Sequence, residues 1–265
     1  MFQDFLHWVF VLPLIMAVSF VLILAFGKKL PRKGSEIGIA AGAICFALAL
    51  VAGIGWVQHV NDAPHAAQVA ATAEATTATG GEAVAPAEEA TGNEAEIPVE
   101  PITTGQTWFT IAGQDYEVGT LVDGLAVIML IVVTIISLLV HIYSTDYVNG
   151  DRRYTHYFAF LSLFTASMLM LVISRNTVQF ITSWELVGLC SFALIGHWWE
   201  EKPNSDAALK AFITNRVGDI GLLVGMTTLY FATTEASPDA GRGFDILTIN
   251  QLANSGATRH LLLLV

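Results

Sequence analysis

The chain has 265 residues, of which 54% are hydrophobic and only 13% are charged. An average soluble domain carries about a quarter charged residues, so this composition, gathered into several apolar runs near twenty residues long, excludes an ordinary water-soluble enzyme and indicates a polytopic membrane protein. The net charge of −11 excludes a nucleic-acid binder of the usual kind, since no basic patch exists to meet a phosphate backbone.

Phe5 to Phe26 forms the first apolar run. No basic residue precedes it, and "KKLPRK" (Lys28 to Lys33) follows at once. A cleavable signal peptide carries the opposite flanks, so this run reads as a retained span with its N-terminus outside. The second run, Ile37 to Val57, is rich in Gly and Ala, which lets helices approach closely in lipid. Residues 1–58 thus read as two N-terminal transmembrane helices.

No Lys or Arg occurs between Lys33 and Arg152, and residues 59–120 carry ten acidic residues. The Ala/Thr/Glu/Pro-rich part, 59–105, cannot bury enough apolar area to offset its chain entropy, which predicts a loosely ordered outside loop. In 106–120, "TWFTIAGQDYEVG" alternates apolar and polar residues around a Gly-Gln-Asp turn, predicting a small outside β-hairpin.

The third span runs from about Gly124 to Ile142, with Asp123 at its outer edge and Asp146 turning its inner end. The fourth runs from Tyr157 to Ser174, and a tight turn at Arg175–Asn176 leads to the fifth, Val178 to Gly196. "HWWEEKPNSD" then reads as an inside loop, with Pro203 as breaker and Ser205 or Asp206 as N-cap. The sixth span covers Ala207 to Phe231, and "TTEASPDAGRGFDILTINQLANSGATRH" reads as an outside connection. "LLLLV" begins a seventh span. Five residues cannot cross a bilayer about 30 Å thick, so the bundle of 121–265 reads as truncated. The expected class is all-α and polytopic, with six complete transmembrane helices plus the start of a seventh. Inside segments hold seven basic residues (Lys28, Lys29, Arg32, Lys33, Arg152, Arg153, Lys202) against three outside (Arg175, Arg242, Arg259), which agrees with the orientation.

Charges inside spans are expensive and mark function by default. Four occur: Glu185 in the fifth span, and Lys210, Arg216 and Asp219 in the sixth. At a rise of about 1.5 Å per residue, Glu185 lies roughly 16 Å from the inner end, Arg216 roughly 14 Å and Asp219 roughly 18 Å, all near the mid-plane, whereas Lys210 is only about 5 Å in and can snorkel. Arg216 and Asp219 are three apart on one face and can form an internal ion pair. Glu185 has no opposite charge at i±3 or i±4, so its partner must come from another helix. His141 and His156 fall at span ends, and His197 at the start of an inside loop, where interfacial roles are the default. Cys45 and Cys190 lie in apolar runs without metal-ligand spacing and read as small buried hydrophobes. No GxxxxGK[ST], GxGxxG, HExxH or cysteine cluster occurs, so nothing in the chain indicates a nucleotide, flavin, zinc or iron–sulfur site of its own.

The stretches "FLSLFTASMLMLV", "WELVGLCSFALIGHWW" and "ALKAFITNRVGDIGLLVG" lie within about ninety consecutive residues that closely resemble the N-terminal part of the subunit L family of NADH-quinone oxidoreductase, the antiporter-like membrane subunits of respiratory complex I. The resemblance implies a subunit of a proton-translocating NADH:quinone oxidoreductase in the bacterial inner (cytoplasmic) membrane, without a redox centre of its own. NADH, FMN, iron–sulfur clusters and quinone would be bound by other subunits. Its partners would be the other membrane-arm subunits, including neighbouring antiporter-like ones, and the lipid bilayer. It implies proton-translocation roles for Glu185, Lys210, Arg216 and Asp219, with a lysine of a seventh span as the partner of Glu185. The acidic block at 59–105 looks like an insertion relative to the family. The large subunit of multisubunit Na⁺/H⁺ antiporters and relatives in membrane-bound hydrogenases share the same pattern and remain the alternative.

Overall fold

The computed structural model describes residues 2–78, 99–111, 114–236 and 244–255. In chain order the elements are α1 (Phe2–Phe5), α2 (Val11–Phe26), α3 (Ser35–Ala78), β1 (Ile102–Ile111), β2 (Gln114–Val122), α4 (Gly124–Tyr147), α5 (Tyr154–Val172), α6 (Thr177–Ile195), α7 (Lys202–Ala236) and α8 (Ile246–Asn254). Short 3-10 turns flank α2 on both sides. Among the described residues six helical stretches are long and apolar enough to cross a membrane: Leu6–Lys29, Ser35–Ala63, Gly124–Tyr147, Tyr154–Val172, Thr177–Ile195 and Lys202–Thr234. The polytopic helical class expected from composition is therefore present, with a two-stranded antiparallel sheet as its β element.

Local chemistry sets several boundaries. Asp123 caps α4, its carboxylate accepting from the Ala126 N–H at 2.7 Å, and Asn176 caps α6 by accepting from the Gln179 N–H at 2.7 Å. Asp245 caps α8 in the same way through Thr248. Pro203 does not break the chain: α7 starts at Lys202, and Pro203 sits in its first turn, where its missing N–H leaves no intrahelical bond unmade. The C-terminal connection also contains the helix α8. Its nine residues are too few to show a span-length pattern.

Helix α3 continues past the span. The backbone is helical to Ala78, so the first twenty residues of the acidic block extend the helix, consistent with their Ala, Gln and Glu content. Residues 79–98 of that block lie outside the described residues. The hairpin begins at Ile102, earlier than the alternation indicated, and its register pairs Ile102 with Val122 and Gly105 with Gly119. Part of the proposed Gly113–Asp115 turn also lies outside the described residues.

The core joins α2, α3, α4 and α5. Leu12 and Met16 of α2, Leu130 of α4 and Leu169 of α5 are fully buried against Cys45, Ala49 and Ala52 of α3. Small residues at these α3 positions bring the neighbouring backbones close, as packing in lipid requires. Both cysteines are buried free thiols, and the Cys45 thiol lies 3.5 Å from the Leu12 carbonyl oxygen. Large apolar side chains such as Leu14, Leu125, Ile213, Val217 and Val224 face outward, the inverse of a water-soluble surface.

The consecutive antiparallel helices give the bundle two ends. One, the hairpin end, carries β1, β2, the α5–α6 turn and α8. The other, the Asp151 end, carries residues 27–34 and the connectors 148–153 and 196–201. At the hairpin end the sheet is tied to the bundle by the Leu121 N–H donating to the Ile173 carbonyl (3.0 Å), the Asn176 amide to the Glu117 carbonyl (2.6 Å) and the Gly119 N–H to Gln179 (3.3 Å). Arg175 completes the junction, pairing with Glu117 of β2 at 2.8 Å and with Asp245, the α8 cap, at 3.2 Å.

Candidate functional site

Helix α6 places Glu185 half-way along its length, on the side facing α7. The return of α7 antiparallel to α6 brings Arg216 and Asp219 to the same level. The Arg216 guanidinium pairs directly with the Glu185 carboxylate and lies 3.6 Å from Asp219. Asp219 is held from α6 as well: the Trp184 indole N–H donates to its carboxylate at 2.8 Å. The Phe212 ring packs 4.6 Å from the Arg216 guanidinium carbon, one turn earlier on α7.

Three of the four residues expected from sequence therefore meet. Arg216 does more than pair with Asp219 within its own helix, because it bridges α7 to α6 through Glu185. Lys210 stands apart, on an exposed position near the start of α7, with no ion pair among the described residues. The partner that Glu185 makes among the described residues is Arg216, where the resemblance had implied a lysine from a seventh span.

Charge arithmetic decides what the cluster can do. Two carboxylates face one guanidinium, so with all three groups ionised the site carries one excess negative charge at membrane depth. Such a charge is stabilised by a further cation or by a proton on one carboxylate. Asp219 is 9% exposed and already accepts the indole N–H. Glu185, with 31% of its side chain exposed, has Arg216 as its anchor.

The Asp151 end holds a second polar group, around His197, which its place at the start of a connector does not reveal. His197 is 4% exposed and lies 3.3 Å from the Asp151 carboxylate, although its Nε2 is not aligned for a hydrogen bond. Asp151 also accepts from the Trp198 indole at 2.7 Å and from the Arg153 N–H at 2.6 Å. Arg153 donates to the His197 carbonyl at 2.7 Å, pairs with Glu200 and stacks 3.7 Å over Trp199. The connectors 148–153 and 196–201 are thus sewn together. Asp146, expected to turn the end of α4, does so only through its backbone carbonyl, to Asn149. The missed signal was the aromatic pair Trp198–Trp199 beside His197, which supplies both the cover and a hydrogen bond.

Burial alone would raise the Asp151 carboxyl, but the Arg153 N–H, the Trp198 indole and the neighbouring His197 outweigh it and hold it below the ordinary carboxylate value. A lowered pKa contributes stability that is present above the unfolded value of about 3.9 and is lost as the pH falls through the folded one. Thermal unfolding of the detergent-solubilised protein is therefore expected to show a loss of stability below about pH 4 that Asp151→Asn flattens. An unchanged acid limb in that variant would remove Asp151 from the junction.

Two family models match this chain. Residues 108–158 match the one described as NADH-Ubiquinone oxidoreductase (complex I), chain 5 N-terminus, and residues 174–263 match the one described as NADH:quinone oxidoreductase/Mrp antiporter, TM. Among curated proteins, NAD(P)H-quinone oxidoreductase subunit 5, chloroplastic, of Zygnema circumcarinatum is 47% identical over 146 residues, covering 54% of this chain and 21% of that protein. NAD(P)H-quinone oxidoreductase chain 5 of Synechocystis sp. is 50% identical over 126 residues, covering 48% and 18%. The chain thus spans about a fifth of the length of these relatives. A solved structure of the membrane-bound sulfane sulfur reductase, an archaeal respiratory membrane complex, shares the fold with a TM-score of 0.57 at 13% identity, over 87% of this chain and 37% of that one. Across residues 108–158 and 174–263 the chain is therefore similar to antiporter-like membrane subunits of NADH:quinone oxidoreductases and Mrp antiporters, and among the described residues this similarity lies on a fold with six helices long and apolar enough to cross a membrane.

Proposed function

We propose that this chain is part of a proton-translocating membrane subunit of an NADH:quinone oxidoreductase, of the subunit L or chain 5 type, in which Glu185 takes up and releases a proton. The observation that carries the reading is the unbalanced Glu185–Arg216–Asp219 cluster at mid-span. The cluster keeps a carboxylate in excess at mid-span, one that a proton or an approaching cation can neutralise. Relatives named as quinone oxidoreductase subunits favour protons driven by quinone reduction elsewhere in the complex. On this reading other membrane-arm subunits are its partners, the bacterial inner membrane is its location, the N-terminus lies outside and the Asp151 end faces the cytoplasm. Lys210, near that end, would then feed or receive charge at the mouth of the helix pair. The redox cofactors belong to other subunits.

The second reading is a cation/proton antiporter subunit. It is favoured by the description of the family model over 174–263, which joins the two classes. Purification of the intact gene product from its membrane separates them. Co-purifying NADH dehydrogenase and iron–sulfur subunits support the oxidoreductase reading, and small antiporter subunits support the other.

Asp219→Asn tests the site from its other side. The variant keeps the indole contact but removes the excess charge, and it is expected to lower proton translocation per NADH oxidised, by less than the loss of Glu185 does. The check is acidification by assembled complexes in vesicles. If Asp219→Asn instead prevents assembly, the Arg216–Asp219 contact is structural.

A further inference from the structure

A buried polar column lies apart from the Glu185 cluster, on α2, α4 and α5. Its centre is His141 of α4, which is fully buried at membrane depth. His141 Nδ1 lies 2.8 Å from the Ser137 carbonyl oxygen, and a carbonyl only accepts, so Nδ1 carries the hydrogen. Nε2 is then the basic nitrogen, 3.4 Å from the Ser162 hydroxyl of α5, which in turn lies 3.4 Å from Ser19 of α2. Ser137 and Thr165 share a hydrogen bond at 2.6 Å beside the ring. Gly38 of α3 leaves the space for the ring, because a methyl group there would come within 2.8 Å of its Cδ2. One turn toward the Asp151 end, Ser144 pairs with the Tyr157 hydroxyl at 3.2 Å, and the Tyr157 ring packs edge-on against His197, 5.3 Å between centroids. His197 in turn lies 3.3 Å from the Asp151 carboxylate.

We propose that His141 is a second proton-holding site, loaded from the Asp151 end, where His197 packs against the Tyr157 ring and the Tyr157 hydroxyl pairs with Ser144. The neighbours of the ring suit it to both protonation states. Hydroxyls donate or accept by rotation, so Ser162, which accepts from the Ser19 hydroxyl, can give its hydrogen to neutral Nε2 or turn it away and accept one from the imidazolium. A histidine kept only to tie helices together has no need of reversible partners on its basic nitrogen. The groups facing it are Gly38 from α3, Ser162 and Phe158 from α5 and Ser19 through Ser162. Among the described residues no charged side chain touches it, Glu36 of α3 being engaged at Arg32 instead. The nearest titratable groups along the column are Tyr157, His197 and Asp151. In the step itself, one proton from water at the Asp151 end is gained at Nε2 and later returned by the same route. Only O–H and N–H bonds change.

This inference does not depend on the role of Glu185. The test is nitrogen-15 magnetic resonance on the full-length protein in its membrane complex, labelled at histidine and set in vesicles whose two faces are buffered separately. One histidine signal, absent in His141→Gln, is expected to pass from neutral to imidazolium as the Asp151-side pH is lowered from about 8 to about 5. It should be unmoved by the pH of the hairpin side, and its response should slow severalfold in His197→Gln. If His141→Gln does not assemble, the signal is assigned by substituting the subunit's other histidines in turn. A signal that stays neutral at every pH on both faces, or that follows only the hairpin side, overturns the proposal.

Discussion

Glu185→Gln is expected to lower proton translocation coupled to NADH oxidation by roughly 100-fold, the order of effect seen when a proton-transferring group is lost, while the complex still assembles. Glutamine keeps the size and one oxygen acceptor for Arg216, so the α6–α7 contact survives. It cannot bind and release a proton. The substitution leaves one guanidinium facing one carboxylate, Asp219, at 3.6 Å, which balances the charge. The variant should therefore be about as stable as the parent and fail only in transport. Coupled NADH oxidation and vesicle acidification on the same preparation check this, with subunit content measured alongside.

Arg175→Ala is expected to produce the opposite phenotype, a large loss of stability with no direct effect on the mid-span charges. Arg175 is only 11% exposed and holds Glu117 and Asp245 at once. Removing it takes the guanidinium away from both carboxylates at the junction of hairpin, α5–α6 turn and α8. Breaking a buried pair from one side costs about 3–5 kcal/mol. Limited proteolysis should then cut the hairpin, and the unfolding temperature should fall. Arg175→Lys should recover only part of the loss, because a single ammonium cannot reproduce the fork that reaches both carboxylates. Full recovery by Lys would show that charge, not fork geometry, holds the junction. Gly105 belongs to the same junction, since any side chain there would collide with the guanidinium.

The sequence was most legible where physics acts locally. Apolar runs of span length gave the six helices, because hydrocarbon leaves a backbone few other choices. Depth counting put Glu185 level with Arg216 and Asp219, because a helix rises uniformly and α6 and α7 are consecutive and antiparallel. What could not be read depended on partners distant in sequence. His141 falls near a span end by count, yet α2, α3 and α5 cover it, and the Gly38 that admits it lies 103 positions away. His197 is buried by a tryptophan next to it and an aspartate 46 positions before it. Pro203 was misread because its usual effect as a breaker vanishes in the first turn of a helix. The direction in which Arg216 reaches, to Glu185 as well as Asp219, required the placement of two helices against each other.

The central claim is that Glu185 exchanges a proton within an apolar helix pair. Infrared difference spectroscopy between high and low pH reads this directly, through the carbonyl stretch of a protonated carboxylic acid in apolar surroundings. On this account such a band is present in the assembled complex, disappears in Glu185→Gln and shifts in Asp219→Asn. A band that persists unchanged in Glu185→Gln would contradict it.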